Sequence, residues 1–564
     1  MRFITTRLPG RIALALALLA PAAAPAQHFP PDDDVRTMLR YLVEDRETPG
    51  IVLGMLEADG STRILSWGGS GANARPPGPR SVFEIGSITK VFTGILLADM
   101  VERGEVSLSD PVARYLPEGV RVPSRNGREI TLQDLATHRS SLPRMPGNLP
   151  QDPSTPYPPY TMEDLYAFLA QHELRRDIGS EFEYSNMAVA LLGEALARRA
   201  GGTWDQVVRE RVLEPLGMHM TSTVVAGEMA EWNTQGHDEE GRVAPYRGWP
   251  GLPGMGALRS NAEDLLRFLA ANTGPPASRL ERVMRDAYQV RASTGENGGI
   301  GLNWLVRKAG DRTVILHGGA TAGYETQIAF DPERGVGVVL LTNTAEFDDD
   351  LGLDLLLRGA GPARAEVAVS PDLLRRYAGA YEVAPGRSLF VRLEDEGHLT
   401  VQMPRNVRFR MYPESDSTFF LKRTPWRLRF TRNADGQVAG MVVDMDGTER
   451  SARRVGDAAP PPAVVAENAA LDLPLTPEQM ALYEGTYVLQ AGERTQELRV
   501  FVQDGQLMSE PGNQRPRRLL YQGNHEFRPE EALEFRLVFT LENGRAEGVT
   551  LSQGDRAFSG RRRP

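Results

Sequence analysis

The chain has 564 residues, of which 64 are basic and 74 are acidic, and it contains no cysteine. Its formal net charge of −10 argues against nucleic acid as a partner, and the missing cysteines exclude disulfides, a thiol nucleophile and a lipid-bearing cysteine. Because disulfides are excluded, the stability of the fold must come from buried surface area. The length is sufficient to bury a large area and to form more than one domain.

The first 26 residues predict a cleavable export signal. Three arginines, Arg2, Arg7 and Arg11, precede an apolar run at 12–20, and Ala24-Pro25-Ala26 forms a small-x-small cleavage site. The run is short for a membrane span, so we expect cleavage after Ala26 and a periplasmic or secreted protein. An uncleaved anchor is the alternative. We expect no membrane span in the mature chain.

Residues 30–360 mix strand and helix patterns and are predicted to form one domain. Early strands are predicted at 50–56 and 62–67, a helix at 186–200, and late strands at 313–317, 326–330 and 337–342. Strands near both ends with helices between them predict a single sheet assembled from both ends of the domain.

A serine and a lysine lie three positions apart at the start of an apolar helix pattern. Only three of the basic residues are lysines, and Lys90 follows Ser87 at this spacing. Apolar residues at 88, 91, 92, 95 and 96, widened by 97, 100 and 101, predict a helix buried inside a domain. Ser87 and Lys90 then lie on its first turn, one above the other. The alternative is that Lys90 is a cation on the exposed surface of a helix.

This pair suits nucleophilic catalysis. Arginine stays protonated, whereas a lysine amine can lose its proton when burial and neighbouring charges lower its pKa. Lys90 could therefore deprotonate Ser87, and the backbone N–H of Ser87 at the helix N-terminus could stabilise an oxyanion.

Two further polar motifs follow. Tyr184 and Asn186 point the same way in extended backbone; the tyrosine could relay a proton, and Asn186 could orient the lysine or the substrate, or cap the next helix. His317-Gly318-Gly319-Ala320 ends an apolar strand, where paired glycines allow another backbone or a substrate to approach. A structural histidine and an ordinary hairpin turn are the alternatives.

The C-terminal part contains an internal repeat. Tyr-Ala-Gly-Ala-Tyr at 377–381 is echoed by Tyr-Glu-Gly-Thr-Tyr at 483–487, and two glycine motifs recur downstream in the same order. Short alternating strands with turn signals predict two small β-barrels at 371–456 and 476–562, joined by a Pro/Ala-rich linker at 457–475.

The order Ser-x-x-Lys, Tyr-x-Asn and His-x-Gly resembles the serine β-lactamase and penicillin-binding protein superfamily, on its class C and DD-peptidase side. Segments at 104–112, 115–117, 130–143, 214–218 and 260–265 are also similar, so the resemblance covers roughly residues 35–355. It implies an α+β fold, in which a mixed α/β β-lactamase-like domain with an antiparallel sheet flanked by helices precedes the two antiparallel β-barrels. The layout resembles three-domain D-aminopeptidases.

The resemblance also implies roles for the motif residues. Ser87 is the nucleophile that forms an acyl-enzyme, Lys90 and Tyr184 share acid–base work, and Asn186 positions the lysine and the substrate. His317 takes the place of a cationic strand lysine, and the N–H groups of Ser87 and Ala320 form an oxyanion hole. The residues expected to contact the substrate are Gly318, Gly319 and Tyr324.

One departure from the family pattern bears on substrate choice. True β-lactamases have Lys-Thr-Gly at the position of His317-Gly318-Gly319. The motif of this chain is more similar to that of D-aminopeptidases and esterases. A second departure, Ser140-Ser141 in place of Ser-Gly, affects a turn. Outside the motifs, His138 is interpreted as a structural hydrogen-bonding residue, and Ser260 with Glu263 as a helix capping box.

These features predict an exported serine hydrolase that cleaves a small amide or ester, either a D-amino-acid peptide or a short-chain ester. The alternatives are a true β-lactamase and a catalytically silent peptidoglycan- or penicillin-binding protein. We expect a small-molecule or peptide substrate, no cofactor and no metal site. The exact substrate, the entry of a barrel loop into the site and the oligomeric state stay open.

Overall fold

The computed structural model describes most of the chain downstream of the predicted export signal. The described residues are 27–563 without 47–48, 70–74, 150–159, 239–241, 245–250, 296–297, 346, 348–349, 360–363, 385–386, 403–407, 446, 458–473, 492–493, 504, 513–515, 524, 531–534, 543 and 554–555. The predicted signal at 1–26 and nearly all of the predicted linker lie outside them. Those features and the domain boundaries stay predictions.

The N-terminal part combines strands and helices. Its strands are β1 (Gly50–Leu56), β2 (Thr62–Gly68), β3 (Phe83–Glu84), β4 (Arg259–Ser260), β5 (Ala292–Gly295), β6 (Gly298–Ile300), β7 (Leu305–Ala309), β8 (Arg312–Ala320), β9 (Glu325–Asp331) and β10 (Val336–Thr342). Its helices are α1 (Asp32–Arg46), α2 (Thr89–Glu102), α3 (Leu132–Ala136), α4 (Met162–Gln171), α5 (Asn186–Ala200), α6 (Trp204–Val208), α7 (Glu228–Glu231), α8 (Ala262–Thr273), α9 (Arg279–Ala287) and α10 (Leu351–Arg358).

One antiparallel sheet organises this part, in the strand order β2-β1-β10-β9-β8-β7-β6-β5. Its centre pairs the beginning of the domain with its end, since Ile51 on β1 lies opposite Thr342 on β10. The predicted assembly of one sheet from both ends is confirmed. The predicted helix at 186–200 is also confirmed, as α5.

The sheet separates two hydrophobic cores. Successive residues of a strand point to opposite faces, and on β1 Val52 and Leu56 join the larger core, whereas Ile51, Leu53 and Met55 join the smaller one. The larger core is built with α2, α5 and α8, and the smaller one with α1 and α10. Because both faces are covered, every residue of β1 is buried.

Two closed antiparallel barrels follow, as predicted. The first comprises α11 (Pro371–Tyr377), β11 (Gly379–Ala384), β12 (Arg387–Leu393), β13 (Leu399–Gln402), β14 (Phe409–Pro413), β15 (Thr418–Phe420), β16 (Arg427–Arg432), β17 (Val438–Met445) and β18 (Thr448–Gly456). The second comprises α12 (Pro477–Ala481), β19 (Gly485–Ala491), β20 (Arg494–Gln503), β21 (Gln506–Pro511), β22 (Arg517–Gly523), β23 (Glu526–Pro529), β24 (Phe535–Glu542), β25 (Arg545–Gln553) and β26 (Arg556–Arg562). Among the described residues, no helix is long and apolar enough to cross a membrane.

The repeated tyrosine motif has the same structural function in both barrels. The hydroxyl of the fully buried Tyr381 donates a hydrogen bond to the carbonyl oxygen of Tyr377 at 2.7 Å. In the second barrel, Tyr487 donates to the carbonyl oxygen of Tyr483, also at 2.7 Å. The repeat therefore places a hydrogen-bonded tyrosine in each barrel core.

The first barrel is joined to the N-terminal part by ion pairs. Lys422 Nζ lies 2.9 Å from a carboxylate oxygen of Asp34 on α1, and Arg408 Nε lies 2.7 Å from Asp45 Oδ1 at the other end of that helix. The hydroxyl of Tyr412 also donates to Asp34. Lys422, one of the three lysines, therefore contributes to the interface between the two domains.

The predicted capping box at the start of α8 is wrong. Asn261 is the N-cap, and its side-chain oxygen accepts the N–H of Asp264 at 2.8 Å. Ser260 instead belongs to β4, and its hydroxyl lies 2.7 Å from that of Thr221. Because Ser260 is part of a strand, the cap lies one position later, at Asn261.

The tyrosine hydrogen bond predicts a local stability effect. Tyr381→Phe should lower the free energy of unfolding of the first barrel by about 1–2 kcal/mol, because a buried carbonyl loses its donor. Native-state hydrogen exchange can follow each barrel separately. The second barrel is the internal control, and Tyr487→Phe should reverse the pattern. Equal exchange rates of the first barrel in the wild type and in Tyr381→Phe would show that the Tyr381 hydroxyl does not stabilise that barrel.

Candidate active site

Ser87 and Lys90 lie together where a 3-10 turn enters α2. The turn is Gly86–Ile88, and Lys90 is the second residue of the helix. The Lys90 side chain is fully buried, so its interpretation as a surface cation is wrong. Its Nζ lies 2.8 Å from Ser87 Oγ, whereas Ser87 is only partly buried. An amine is therefore within proton-transfer distance of a partly accessible hydroxyl.

Burial controls the charge of this amine. Desolvation lowers the pKa of Lys90 well below its usual value, and the positive charge of Arg144 lowers it further. Burial thereby shifts the equilibrium toward the neutral amine, which can accept a proton.

A segment distant in sequence holds the lysine in place. Lys90 Nζ donates to the carbonyl oxygen of Met255 at 2.6 Å, in the 3-10 turn Pro253–Met255. That turn is fixed to α2 because the hydroxyl of Thr93 donates to the carbonyl oxygen of Gly254 at 2.7 Å. Met255 is not predictable from the sequence, because a contacting backbone carbonyl has no residue-type signal.

Tyr184 lies against both members of the pair. Its ring centroid is 5.1 Å from Lys90 Nζ. Burial raises the pKa of Tyr184 to about 12, although the neighbouring side chain of Ser87 and the charge of Arg144 act to lower it. The phenol is consequently protonated near neutral pH and can donate its proton.

Asn186 neither caps α5 nor bonds to Lys90 in the described part of the chain, and its role toward a substrate stays a prediction. Ser185 is the N-cap of α5, with its hydroxyl accepting the N–H of Ala188 at 3.1 Å, so the interpretation of Asn186 as the cap is wrong. The Asn186 amide nitrogen lies 3.3 Å from Met145 Sδ. Within the described residues it makes no hydrogen bond to Lys90, because the start of the helix turns its side chain toward Met145.

His317 is close to the pair but does not provide a positive charge. Its Nδ1 donates to the carbonyl oxygen of Gly318 at 2.6 Å, which leaves Nε2 as a buried acceptor without a partner in the described part of the chain. Burial lowers the pKa of His317 to about 4, and the charge of Lys90 acts in the same direction. The ring is therefore neutral at neutral pH, unlike a strand lysine.

The end of β8 packs directly on the turn that carries Ser87. A Cβ atom on Gly319 would lie 2.0 Å from the carbonyl oxygen of Ile85. Gly86 has φ +47°, and a Cβ there would lie 2.9 Å from both the backbone nitrogen and the backbone oxygen of Ala320. The two backbones can approach this closely only because both residues are glycine. This contact brings the backbone of Ala320 beside Ser87.

Two of the three predicted substrate contacts are not supported. Tyr324 is buried in the larger core, and its hydroxyl donates to the carbonyl oxygen of Thr234 at 2.6 Å, so it is not available to a substrate. Gly319 makes room for Ile85 rather than for a ligand. Gly318 and Ala320 are exposed and stay candidates.

His138 is more closely linked to the site than its structural interpretation implies. Its Nδ1 accepts the N–H of Ser185 at 3.1 Å, and its ring centroid lies 4.5 Å from that of Tyr184. Burial lowers the pKa of His138 well below its usual value, with smaller effects from Lys90 and His317. A neutral imidazole ring therefore packs against the ring of Tyr184.

Comparison with known proteins gives a consistent result. A family model described as Beta-lactamase matches residues 35–361, and a domain of unknown function (DUF3471) matches residues 363–454. The D-alanyl-D-alanine-carboxypeptidase/endopeptidase AmpH of Escherichia coli (strain K12) is 30% identical over 307 residues, which cover 51% of this chain and 78% of that protein. A beta-lactamase from the same organism is 27% identical over 356 residues, covering 57% of this chain and 90% of that protein. A crystal structure of a beta-lactamase/D-alanine carboxypeptidase from Yersinia pestis complexed with citrate has 25% identity and a TM-score of 0.49, covering 55% of this chain and 91% of that one.

The contact between β8 and the serine turn predicts a difference between two adjacent glycines. Gly319→Ala should lower the free energy of unfolding by about 1–3 kcal/mol, because the added methyl group collides with the carbonyl oxygen of Ile85. Gly318→Ala is the matched control, since the nearest atom to its Cβ is 3.7 Å away. Urea denaturation measures both. Equal midpoints for the two variants would contradict the close approach.

Proposed function

The chain belongs to the beta-lactamase family of serine hydrolases, and from this premise we propose that it hydrolyses a small amide or ester through an acyl-enzyme on Ser87. The observation that supports this most is the 2.8 Å contact between Ser87 Oγ and the buried amine of Lys90. A serine hydroxyl is a weak nucleophile until a neighbouring base removes its proton, and a desolvated lysine amine is such a base.

In the proposed acylation step, neutral Lys90 takes the proton of Ser87 while Oγ attacks the substrate carbonyl. Negative charge develops on the carbonyl oxygen and is stabilised by the backbone N–H groups of Ser87 and Ala320. The close packing of β8 on the serine turn supports this pairing. Each such donor typically lowers the barrier by about 3–4 kcal/mol.

Tyr184 is proposed to complete the proton transfer. Its protonated phenol gives a proton to the leaving group and recovers one from the Lys90 ammonium, so both residues return to their starting states. Water then attacks the acyl-enzyme with the same groups acting in reverse, and releases the acid and free Ser87. The proximity of Tyr184 to both Ser87 and Lys90 supports this short relay.

The proposed substrate is a D-amino-acid-containing peptide or a short-chain ester. The similarity to a protein named as a D-alanyl-D-alanine-carboxypeptidase/endopeptidase favours the peptide. The neutral His317 in place of a strand lysine argues against efficient β-lactam turnover. A true β-lactamase is the second candidate, favoured by the similarity to a protein named Beta-lactamase, and steady turnover of nitrocefin would distinguish it.

Export is a further part of the proposal. The motif at 1–26 predicts delivery to the periplasm or outside the cell. A peptide substrate of the cell wall would be encountered there. Amino-terminal sequencing of the protein recovered from the periplasm should begin at Gln27.

Mass spectrometry of the intact protein tests the acyl-enzyme. Treatment with a fluorophosphonate or a penicillin should add one equivalent of reagent, and peptide mapping should place it on Ser87. Ser87→Ala should take up none, and Ser107→Ala is a control outside the turn. A protein that stays unmodified by every reagent, although it is folded, would contradict the proposal and favour a silent binding protein.

The lowered pKa of Lys90 predicts the pH dependence of catalysis. Because the base acts in its neutral form, kcat/KM should rise with pH through the pKa of Lys90 and level off below the pH at which an ordinary lysine, with pKa about 10.4, deprotonates. A fall is expected only as Tyr184 ionises, near a pKa of about 12.

Matched lysine variants test whether Lys90 causes the rise of kcat/KM with pH, the ascending limb of the profile. The arginine of Lys90→Arg cannot lose a proton, so this variant should eliminate the limb and lower kcat/KM by about 10²–10⁴-fold. Lys308→Arg changes an exposed lysine on β7 and should leave the limb and the value of kcat/KM unchanged. Persistence of the limb in Lys90→Arg would assign it to another group.

A further inference from the structure

Arg144 is a cation at the site that the proposed reaction does not use. It is exposed, and its guanidinium carbon lies 5.1 Å from the ring centroid of Tyr184. Its charge lowers the pKa of Tyr184, Lys90 and His138. The guanidinium group therefore stands at the accessible side of the site, within electrostatic reach of its central residues.

The backbone of Arg144 is held in place by α5. The N–H of Asn186 donates to the carbonyl oxygen of Arg144 at 2.9 Å, and the hydroxyl of Ser185 donates to that of Pro143 at 2.7 Å. The same two helix residues directly follow Tyr184. The position of Arg144 is therefore tied to that of the tyrosine and is not set by a free loop.

No carboxylate balances this charge in the described part of the chain. Nearby arginines do have acidic partners: Arg128 pairs with Asp134, and Arg176 with Glu183. Arg144 forms no ion pair among the described residues, and no carboxylate contributes to the pKa shifts of Lys90, Tyr184, His138 or His317. In a chain of net charge −10, this site is cationic.

The two sides of the site differ in permanent charge. His317 on β8 is neutral near neutral pH, and Lys90 is neutral when it acts as a base. Arg144 stays protonated under all these conditions. A negatively charged part of a substrate would therefore be attracted to the side of Tyr184 and not to the strand.

We propose that Arg144 is a specificity-determining residue that binds a carboxylate on the leaving side of the substrate. The inference rests on the proposed function, in which Tyr184 protonates the leaving nitrogen from about 3 Å. A carboxylate on the carbon bonded to that nitrogen would lie beside Tyr184, where the guanidinium of Arg144 can donate two parallel hydrogen bonds to it. The substrates favoured are peptides whose departing residue has a free carboxylate.

A matched substrate pair tests this role. The probes are N-acetyl-D-alanyl-D-alanine and its C-terminal amide, which differ only in the carboxylate. The wild type should prefer the carboxylate by about tenfold or more in kcat/KM. Arg144→Gln should abolish most of this preference, mainly through KM, and Arg144→Lys should restore part of it. Arg121→Gln, a change of an exposed arginine in the same domain, is the control and should leave the preference intact.

The ratio of the two substrates separates anion binding from an effect on Lys90. Any change in the basicity of Lys90 alters both rates equally and cancels in the ratio. An unchanged ratio in Arg144→Gln would overturn the proposal, as would a wild type that prefers the amide. A loss of preference with added salt in the wild type, but not in Arg144→Gln, would support it.

A binding measurement keeps the test independent of turnover. In the Ser87→Ala background, calorimetry should show tighter binding of the carboxylate peptide than of its amide, and Arg144→Gln should remove the difference. Equal binding of both peptides by Ser87→Ala would overturn the role of Arg144 even if acylation of Ser87 is established. Failure of the wild type to form any adduct would instead contradict the proposed function.

Discussion

The burial of one lysine amine is the constraint on which the site depends. A charged ammonium ion is costly to remove from water, and the fold lowers that cost by favouring the neutral form and by providing the carbonyl oxygen of Met255 as an acceptor. The apolar helix α2 and its surrounding core maintain this environment. The same burial that makes the ammonium ion costly lowers the pKa of Lys90, so that the neutral amine becomes available to act on Ser87.

The second requirement is the convergence of segments that are far apart in sequence. Ser87, Tyr184 and Ala320 come from three elements, and each is positioned through its backbone. The glycines at 86 and 319 allow β8 to contact the serine turn, and the cap at Ser185 fixes the start of α5 behind Tyr184. His138 and Arg144 then surround the tyrosine with a neutral ring and a permanent cation. The site is thus a product of main-chain packing as much as of side-chain identity.

The sequence predicts the elements and the nucleophilic pair well, because both depend on local patterns. The periodicity of β1 and α5, the apolar helix that buries Lys90 and the repeated tyrosines of the barrels are all readable over a few residues. The contacts of Met255 and Arg144 are not, since they join segments that the chain order separates. The contacts of Tyr324 and Asn186 were not predictable for the same reason: their neighbours Thr234 and Met145 are distant in sequence. Whether His317 is charged depends on burial, which its place at a strand end does not reveal.

The scarcity of lysine permits a direct test of the central claim. A protein labelled with ¹³C at the lysine ε-carbons should give one signal for each of Lys90, Lys308 and Lys422, and Lys90→Arg assigns the first. A pH titration by NMR should show the Lys90 signal changing well below the pH at which an ordinary lysine titrates, with pKa about 10.4. A Lys90 signal that titrates at or above that ordinary value would contradict a neutral base beside Ser87.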